Sequence, residues 1–392
     1  MSGHLRARKG PAATGRWAFA GNSQYGCSMN RMVLTAVAVA LVLAGCGGSR
    51  SASNPGSTRA GDSSAPSVTQ QKVIATKLQT PWGLAFLPDG SALVSERDSG
   101  AIKRVVPQSG GEATVTQVGS VSGVAHPAGS EGGLLGLAVE PGADPKTVFA
   151  YVTTAVDNRI LSIPWDGSVL GTQLPVLTGI PAATRHDGGR IAFGPDGFLY
   201  AGTGDAGNMG NSQNLSSLGG KILRITGDGK PAPGNPFGGS PVWSYGHRNV
   251  QGLAFDNQGR LWASEFGANA HDELNLITKG SNYGWPIIEG QGGAPQFSDP
   301  YAQWPTADAS PSGLAIVGDW AYMAALRGER LWQVDIKNQQ SSDPNGLFVG
   351  TYGRLRTVTN APDGTVWLTS SNTDGRGNPS PNDDKILQLV IN

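Results

Sequence analysis

Residues 189–203 read GRIAFGPDGFLYAGT, in which a short apolar segment, a Pro-Asp-Gly turn and an aromatic segment follow one another. Proline, aspartate and glycine favour tight turns, whereas apolar and aromatic residues favour β-strands. Related units begin at residues 82, 133, 252, 313 and 356, for example WGLAFLPDGSALVSE and RTVTNAPDGTVWLTS. Two-strand units with a period of roughly fifty residues are typical of the blades of a β-propeller.

Six such units predict an all-β fold, a six-bladed β-propeller with four-stranded blades around a central channel. Two further strands remain, in QKVIATKL (residues 71–78) and KILQLVIN (residues 385–392). If these strands share a blade, they close the ring. The alternative is a β-sandwich or two small β domains, but the regular spacing of similar turns favours the propeller.

The composition excludes several classes of function. The chain has 392 residues and a formal net charge of zero. A neutral chain without a basic block is not expected to bind nucleic acid or to be drawn electrostatically to an anionic membrane. Cys27 and Cys46 are the only cysteines, so residues 47–392 form no disulfide among themselves and contain no catalytic thiol.

The N-terminal region predicts export. Residues 29–48 read MNRMVLTAVAVALVLAGCGG, in which Arg31 precedes an apolar run and LAGC ends at Cys46. Because LAGC resembles a bacterial lipobox, we expect residues 1–45 to be a leader with a lipoprotein signal peptide and Cys46 to be lipidated. Residues 46–70 would then be a flexible linker and residues 71–392 the propeller. The protein would be anchored by its lipid to the outer face of the cell membrane, or lie in the periplasm or cell envelope, and would have no other contact with the membrane. The alternative is that the apolar run is an ordinary buried segment of the fold.

The third unit contains a candidate catalytic pair. His186 precedes its first strand, and Asp205 follows its second strand, so the two side chains can meet across the hairpin. A carboxylate that binds one ring nitrogen fixes the histidine tautomer and leaves the other nitrogen able to accept a proton. The alternative is a polar turn without a catalytic role.

Three further motifs carry side chains suited to binding. Arg248 and Asn249 precede the fourth unit. The Arg248 guanidinium could bind an anion or stack on a conjugated ring, whereas a salt bridge is the simpler interpretation. The stretch SEFGANAHDELNLITKGSNYGWP (residues 264–286) offers backbone carbonyls and carboxylates, the hard oxygen ligands that Ca²⁺ prefers. Arg354 and Arg356 lie two residues apart, hence on one face of a strand, and suit a ligand with several carboxylates.

Taken together and in order, these motifs resemble the soluble quinoprotein glucose/sorbosone dehydrogenases, a family that includes the aldose sugar dehydrogenases. The resemblance is carried by HDGGRIAFGPDG (186–197), WSYGHRNVQGLAFD (243–256), DELNLITKGSNYGWP (272–286) and YGRLRTV (352–358). It implies a six-bladed propeller that holds pyrroloquinoline quinone (PQQ) and Ca²⁺ in its channel. It also implies oxidation of an aldose at the anomeric carbon to its lactone, with hydride transfer to the quinone and electrons passed to an external acceptor.

The resemblance assigns roles residue by residue. It implies that His186 is the general base, that Asp205 orients it, and that Arg248 and Asn249 lie against the quinone. Further implied cofactor ligands are Arg327, Arg354 and Arg356. The implied ligands of the cofactor calcium are the carbonyls of Gly267 and Ala268, those of a second calcium are Glu273 and Tyr283, and the implied sugar-pocket aromatics are Tyr301 and Trp304.

Among the departures from the family pattern, two bear on the cofactor and the substrate. Glu131, in EGGLLGLA, stands where the family usually has a glutamine against the cofactor, and its carboxylate would repel a tri-anionic quinone unless it is protonated or bound to calcium. Arg185 stands where the glucose enzymes have an acidic residue at the sugar site. Two alternatives stay open: a Ca²⁺-dependent propeller lactonase, and a non-catalytic, surface-tethered binding propeller, which Glu131 favours.

Overall fold

The computed structural model describes residues 65–337 and 344–392. Within these residues, 24 β-strands form six four-stranded antiparallel sheets, and a single helical turn, α1 (Gly210–Gln213), is present. The six-bladed β-propeller predicted from the repeats is therefore confirmed. The predicted leader and Cys46 lie outside the described residues.

Each blade is a meander of four consecutive strands, except the last. The first strand of the chain is β1 (Val68–Ala75), which belongs to blade 6. Blade 1 contains β2 (Pro81–Phe86), β3 (Ala92–Glu96), β4 (Ala101–Val106) and β5 (Thr114–Ser120). Blade 2 contains β6 (Leu134–Val139), β7 (Thr147–Thr153), β8 (Asn158–Pro164) and β9 (Leu174–Ile180). Blade 3 contains β10 (Ile191–Phe193), β11 (Leu199–Gly202), β12 (Lys221–Ile225) and β13 (Val242–Tyr245).

The remaining blades follow the same order. Blade 4 contains β14 (Val250–Phe255), β15 (Leu261–Glu265), β16 (His271–Ile277) and β17 (Ala302–Pro305). Blade 5 contains β18 (Pro311–Val317), β19 (Trp320–Ala325), β20 (Arg330–Asp335) and β21 (Asn345–Leu347). Blade 6 contains β22 (Leu355–Asn360), β23 (Val366–Ser370) and β24 (Ile386–Ile391), with β1 as its outer strand.

The two ends of the described chain close the ring. β1 pairs antiparallel with β24, with Val73 opposite Leu387. This confirms that the two leftover strands share a blade. Pairing also covers the edge of β24, whose backbone groups would otherwise be unpaired. β1 begins at Val68, within the segment 46–70 that was expected to be a linker.

Small residues of the repeats allow the innermost strands of neighbouring blades to come close. A Cβ atom at Gly83 would lie 2.6 Å from the Leu135 carbonyl oxygen of the next blade, and one at Gly252 would lie 2.3 Å from that of Ser312. The Ser95 hydroxyl accepts a hydrogen bond from Gly83 N at 2.7 Å and donates to Leu135 O at 2.6 Å. Glycine at these positions therefore lets the first strands of the blades line a narrow channel.

The hydrophobic core lies between the blades. One cluster joins Trp82 of blade 1, Tyr151 of blade 2 and Leu223 of blade 3, all of them buried. Because both faces of a blade are covered by its neighbours, the inner strands read as nearly continuous apolar runs. None of the described helices is long and apolar enough to cross a membrane.

Candidate active site

His186 and Asp205 form a hydrogen-bonded pair at one end of the β10–β11 hairpin. His186 Nδ1 lies 2.7 Å from Asp205 Oδ1, and the Asp205 side chain is fully buried. A carboxylate at Nδ1 places the ring proton there, so Nε2 is left as the nitrogen that can accept a proton. The structure thus brings together the two residues that the sequence proposed as a base and its orienting group.

Asp205 is held by several donors. Its Oδ2 accepts a hydrogen bond from Trp285 Nε1 at 2.9 Å, and its Oδ1 also accepts one from Gly207 N at 2.7 Å. Burial favours protonation of this carboxyl, but the hydrogen bonds from His186, Trp285 and Gly207 outweigh it and lower its pKa. Asp205 is therefore a carboxylate at neutral pH and can stabilise a protonated imidazole.

The backbone at His186 has an uncommon conformation. His186 has a φ of 59°, in the left-handed region that non-glycine residues rarely adopt. Its carbonyl accepts a hydrogen bond from Ala206 N at 3.1 Å. A Cβ atom at Gly204 would lie only 1.7 Å from that carbonyl oxygen, so a glycine is required at this position.

Arg248 and Asn249 lie beside this pair. The Asn249 side-chain oxygen accepts a hydrogen bond from Gly188 N at 2.9 Å. The Arg248 guanidinium lies 5.4 Å from the Trp285 ring, and its Nη1 donates to Phe266 O at 3.3 Å. Its Nε atom is buried without a hydrogen-bond partner in the described protein. Because a buried donor without a partner is costly, Arg248 Nε–H indicates a position for a ligand acceptor.

A cavity of about 210 Å³ adjoins the site and is markedly cationic. Its wall contains the side chains of Arg97, Arg327, Arg354, Arg356 and Arg376. Glu131 is the acidic residue that also lines it. The cavity therefore suits a ligand with several negative charges.

Arg354 and Arg356 both line this cavity, which agrees with the prediction that their side chains share one face. Arg354 Nη2 lies 2.9 Å from Asp374 Oδ2, and Arg356 Nη2 lies 3.5 Å from the same atom. Arg356 Nη1 also donates to Gln251 Oε1 at 3.0 Å. Burial lowers the pKa of Arg356 to about 9, so this guanidinium is still charged at neutral pH.

Comparison with known proteins identifies the family. The model of the family described as Glucose / Sorbosone dehydrogenase matches residues 78–383. The chain belongs to the glucose/sorbosone dehydrogenase family. The resemblance recognised from the four motifs is confirmed, and the match covers all but the ends of the propeller.

Individual relatives agree with this family. The chain is 52% identical, with a TM-score of 0.79, to the PQQ-bound aldose sugar dehydrogenase of Streptomyces coelicolor, over 84% of this chain and 100% of that one. It is 27% identical to the aldose sugar dehydrogenase YliI of Escherichia coli over 355 residues, 79% of this chain and 92% of that protein. It is 33% identical to quinoprotein glucose dehydrogenase B of Acinetobacter calcoaceticus over 255 residues, 56% of this chain and 53% of that protein.

In this member of the glucose/sorbosone dehydrogenase family, the turn at Gly267 and Ala268 wraps around one carboxylate. Glu289 Oε1 accepts hydrogen bonds from the backbone N–H groups of residues 268–271, at distances from 2.7 to 3.0 Å. Because a trans peptide has its N–H and C=O on opposite sides, the carbonyls of Gly267 and Ala268 point away from Glu289.

The other residues of this segment are engaged in buried contacts. Asp272 accepts hydrogen bonds from Gly267 N at 2.8 Å and Ser310 N at 2.6 Å, and burial raises its pKa to about 6. Burial, and then the negative charge of Glu265, raise the pKa of Glu273 above its ordinary value. Within the described residues, no group of three or more His, Cys, Asp or Glu side chains is arranged to hold a metal ion.

Tyr283 and His247 pack together beside Glu273. Their rings are stacked with centroids 4.6 Å apart, and the Tyr283 hydroxyl donates to Leu276 O at 2.7 Å. His247 Nδ1 lies 2.7 Å from Glu265 Oε2, and the His247 side chain is fully buried. His247 therefore has a structural position, in contrast to His186.

The two aromatic residues expected near the sugar do not meet His186. Tyr301 directly precedes β17, the outermost strand of blade 4, and its hydroxyl donates to Asp335 O at 3.0 Å. It lines a different cavity, of about 490 Å³. Trp304 lies within β17 and is 4% exposed. Arg185, in contrast, is exposed directly beside the base, and Arg327 is exposed at the cationic cavity.

Sequence reasoning missed several residues in and around the cavity. Asp374 and Arg376 lie in the loop between β23 and β24, outside the repeated unit, and Arg97 lies in the turn between β3 and β4 of blade 1. Arg190 stacks on Trp82 with its guanidinium 4.3 Å from the ring centroid. Of these residues, only Arg190 carried a signal, since it lies inside the repeated unit at a position where an apolar or small residue stands in other units.

Proposed function

We propose that this protein is a PQQ- and Ca²⁺-dependent dehydrogenase that oxidises an aldose at the anomeric carbon to the lactone. The observation that carries the proposal is the His186–Asp205 pair beside an arginine-lined cavity. The pair supplies an oriented base, and the cavity supplies positive charge for an anionic cofactor. A lactonase acting on a neutral lactone would not need this cationic wall.

The residues around the cavity suit a tri-anionic quinone. Arg354 and Arg356 offer buried guanidiniums, and Arg327 offers an exposed one. The unpartnered Arg248 Nε–H suits a quinone oxygen, as does the nearby Asn249. We assign the carbonyls of Gly267 and Ala268 to the calcium, with Glu273 and Tyr283 as candidates for a second one. When bound, the cofactor supplies the two-electron acceptor that this chain lacks.

The chain's own residues would handle the proton. His186 Nε2 would accept the proton of the anomeric hydroxyl as the hydride leaves the same carbon. Asp205, a buried carboxylate, would stabilise the imidazolium that forms. Trp285 donates a hydrogen bond to Asp205, and its ring packs against the Arg248 guanidinium. It therefore contacts both the residue that orients the base and the arginine proposed to bind the quinone. The electrons would then pass to an external acceptor.

The test is reconstitution of the apoprotein with CaCl₂ and PQQ, followed by dye reduction with a panel of aldoses. We expect quinone binding by calorimetry and dye reduction with at least one aldose. His186→Gln should bind the quinone as the wild type does and lose about 10²- to 10⁴-fold in kcat. Quinone binding without dye reduction by any aldose would indicate a binding propeller, and lactone hydrolysis with Ca²⁺ alone would indicate a lactonase.

Arg185 stands where the glucose enzymes have an acidic residue, and the effect of this charge difference can be tested with the same assay. We propose that Arg185 faces the sugar, because it is exposed and directly precedes the base. The resemblance implies that Tyr301 and Trp304 contact the sugar, although neither lines the arginine-lined cavity. This role holds only if their substitution alters turnover. Arg185→Ala should change the ranking of aldoses by kcat/KM, whereas Tyr301→Phe should leave the ranking unchanged if blade 4's outer strand is remote from the sugar.

We also propose that the protein is exported and anchored through a lipid on Cys46, with residues 46–70 as the tether. The lipobox-like LAGC sequence supports this assignment. Expressed in a bacterial host, the wild type should partition with the membrane fraction and incorporate a labelled fatty acid. Cys46→Ser should do neither, and label incorporation by this variant would contradict the assignment.

A further inference from the structure

Glu131 connects three blades of the propeller around the candidate base. It lies in the segment between β5 and β6, and its Oε2 accepts a hydrogen bond from His186 N at 2.9 Å. Its Oε1 lies 3.1 Å from Arg376 Nη1, in the loop between β23 and β24 of blade 6. Its own backbone N–H donates to Thr184 O at 3.0 Å. Two hydrogen bonds therefore dock the segment that carries His186 onto Glu131.

We propose that Glu131 is a positioning residue that holds the backbone of His186, and that Arg376 neutralises its charge beside the cofactor cavity. The proposal rests on the proposed function, because it takes His186 as the base. It assigns roles to a residue that departs from the family pattern and to an arginine outside every family motif.

The backbone of His186 needs such a support. Its left-handed conformation costs free energy and persists only where the surroundings fix it. The carbonyl side is fixed by Ala206 N, the amide side by Glu131, and the ring by Asp205. If the Glu131 contact is lost, the peptide before His186 can rotate, and the ring then moves relative to a substrate in the channel.

The charge of Glu131 also needs a partner. Burial favours its protonation, but the hydrogen bond from His186 N and the charge of Arg376 outweigh burial and lower its pKa. Glu131 is thus ionised in the wall of a cavity proposed to hold an anion. Arg376, whose side chain is 51% exposed, brings the compensating charge from the other side of the ring. The pair replaces the neutral amide that the family usually has at this position.

The first experiment separates the hydrogen bond from the charge. Glu131→Gln keeps an oxygen that can accept from His186 N, so we expect kcat within about threefold of the wild type. Glu131→Ala removes the acceptor and should lower kcat by about 10- to 100-fold while quinone affinity is maintained or improved. Equal kcat for Glu131→Ala and the wild type would overturn the positioning role.

The second experiment tests Arg376 by a double-mutant cycle on the Kd of PQQ. Arg376→Gln should weaken quinone binding about tenfold, because it leaves the Glu131 charge uncompensated. Glu131→Gln in the same chain should restore the Kd to within about threefold of the wild type. Arg159→Gln, which removes an equal charge from β8 outside the cavity, is the matched control and should leave the Kd unchanged. A loss in Arg376→Gln that Glu131→Gln does not rescue would overturn the neutralising role.

The third experiment does not depend on turnover or on cofactor. In the full-length apoprotein labelled at histidine, the ring signal of His186 is assigned by its absence in His186→Gln. Glu131→Ala should shift this signal, and Glu131→Gln should not. An unshifted signal in Glu131→Ala would contradict the proposal even if the enzyme is active. If Glu131→Ala shifts the signal but the protein binds no quinone, the positioning contact is supported and the proposed function is contradicted.

Discussion

His186 and Asp205 illustrate how a residue acquires a role from its surroundings. The histidine ring is fixed by a carboxylate that is itself fixed by Trp285 and by a backbone amide. Such a chain of fixed groups costs little reorganisation when a proton is transferred. The ability of His186 to act as a base therefore depends on the hydrogen-bond network as much as on the histidine itself.

Asp205→Asn tests the anionic contribution of this network. The amide is nearly isosteric, so quinone affinity should be unchanged, but it cannot stabilise an imidazolium as a carboxylate does. We expect kcat to fall by about 10²-fold or more. Dye-coupled kinetics and calorimetry measure the two quantities, with Asp228→Asn at an exposed turn as the control. Wild-type kcat in Asp205→Asn would show that the carboxylate does not assist the base.

Asp187, the next residue after the base, gives a pH dependence of stability. Its Oδ2 is buried without a partner, and burial raises its pKa to about 6. Between about pH 4 and pH 6 the folded protein keeps this proton while the unfolded chain, with its ordinary pKa, releases it. The folded state therefore binds more protons, and this group's contribution to the free energy of unfolding falls by about 3 kcal/mol as pH rises through that window.

Asp187→Asn should remove this component. Because other carboxylates such as Asp205 contribute the opposite slope, the comparison is the difference between wild type and variant in urea unfolding from pH 4 to pH 7. We expect the variant to gain stability relative to the wild type as pH rises. A difference that does not vary with pH would contradict the assignment.

At the scale of elements, the loop between β11 and β12 positions Asp205 and is held by a buried ammonium. Lys221, at the start of β12, is fully buried, and its Nζ donates to the carbonyls of Asn211, Ser212 and Gly219 at 2.6, 3.0 and 2.7 Å. Burial lowers the pKa of Lys221 to about 7, whereas the three carbonyl acceptors favour its protonated form. Three carbonyl dipoles thus surround one cation and fold the loop over it.

Lys221→Met should destabilise the protein through this loop. The three buried carbonyls would lose their donor, which costs about 3 kcal/mol even though a buried charge is removed at the same time. We expect the Tm to fall by roughly 5 °C or more in calorimetry. Lys230→Met, at an exposed turn, is the matched control and should leave the Tm nearly unchanged. Equal Tm values for the two variants would show that the ammonium does not hold the loop.

At the scale of the whole molecule, the ring depends on pairing between strands that are distant in sequence. β1 covers β24, and Ile74 and Ala75 of β1 are buried in the hydrophobic core. Without β1, blade 6 would have an exposed apolar edge, which is a template for association with other chains.

A chain that begins at residue 77 tests this closure. We expect its Tm to fall by more than about 10 °C and its light scattering to rise with concentration, because core area is lost and the outer edge of β24 is unpaired. A chain that begins at residue 65 keeps β1 and serves as the control. Similar Tm values and similar scattering for the two chains would contradict a stabilising role for the closure.

The sequence by itself determined the number of blades, the strand–turn–strand units and the partnership of the two terminal strands. These features follow from local turn chemistry and from repetition, which are visible in a linear chain. The same local logic placed His186 and Asp205 at one end of a short hairpin, and Arg354 and Arg356 on one face of a strand.

Only the tertiary structure decided how loops of different blades meet over the channel. The pairing of Glu131 with Arg376 and the burial of Lys221 under a loop left no pattern in the sequence, because each contact involves a loop that no repeat constrains. The placement of Tyr301 likewise depends on which strand of blade 4 it adjoins. Turns and strands are fixed by neighbours in sequence, whereas these contacts are fixed by the angle and spacing of packed blades.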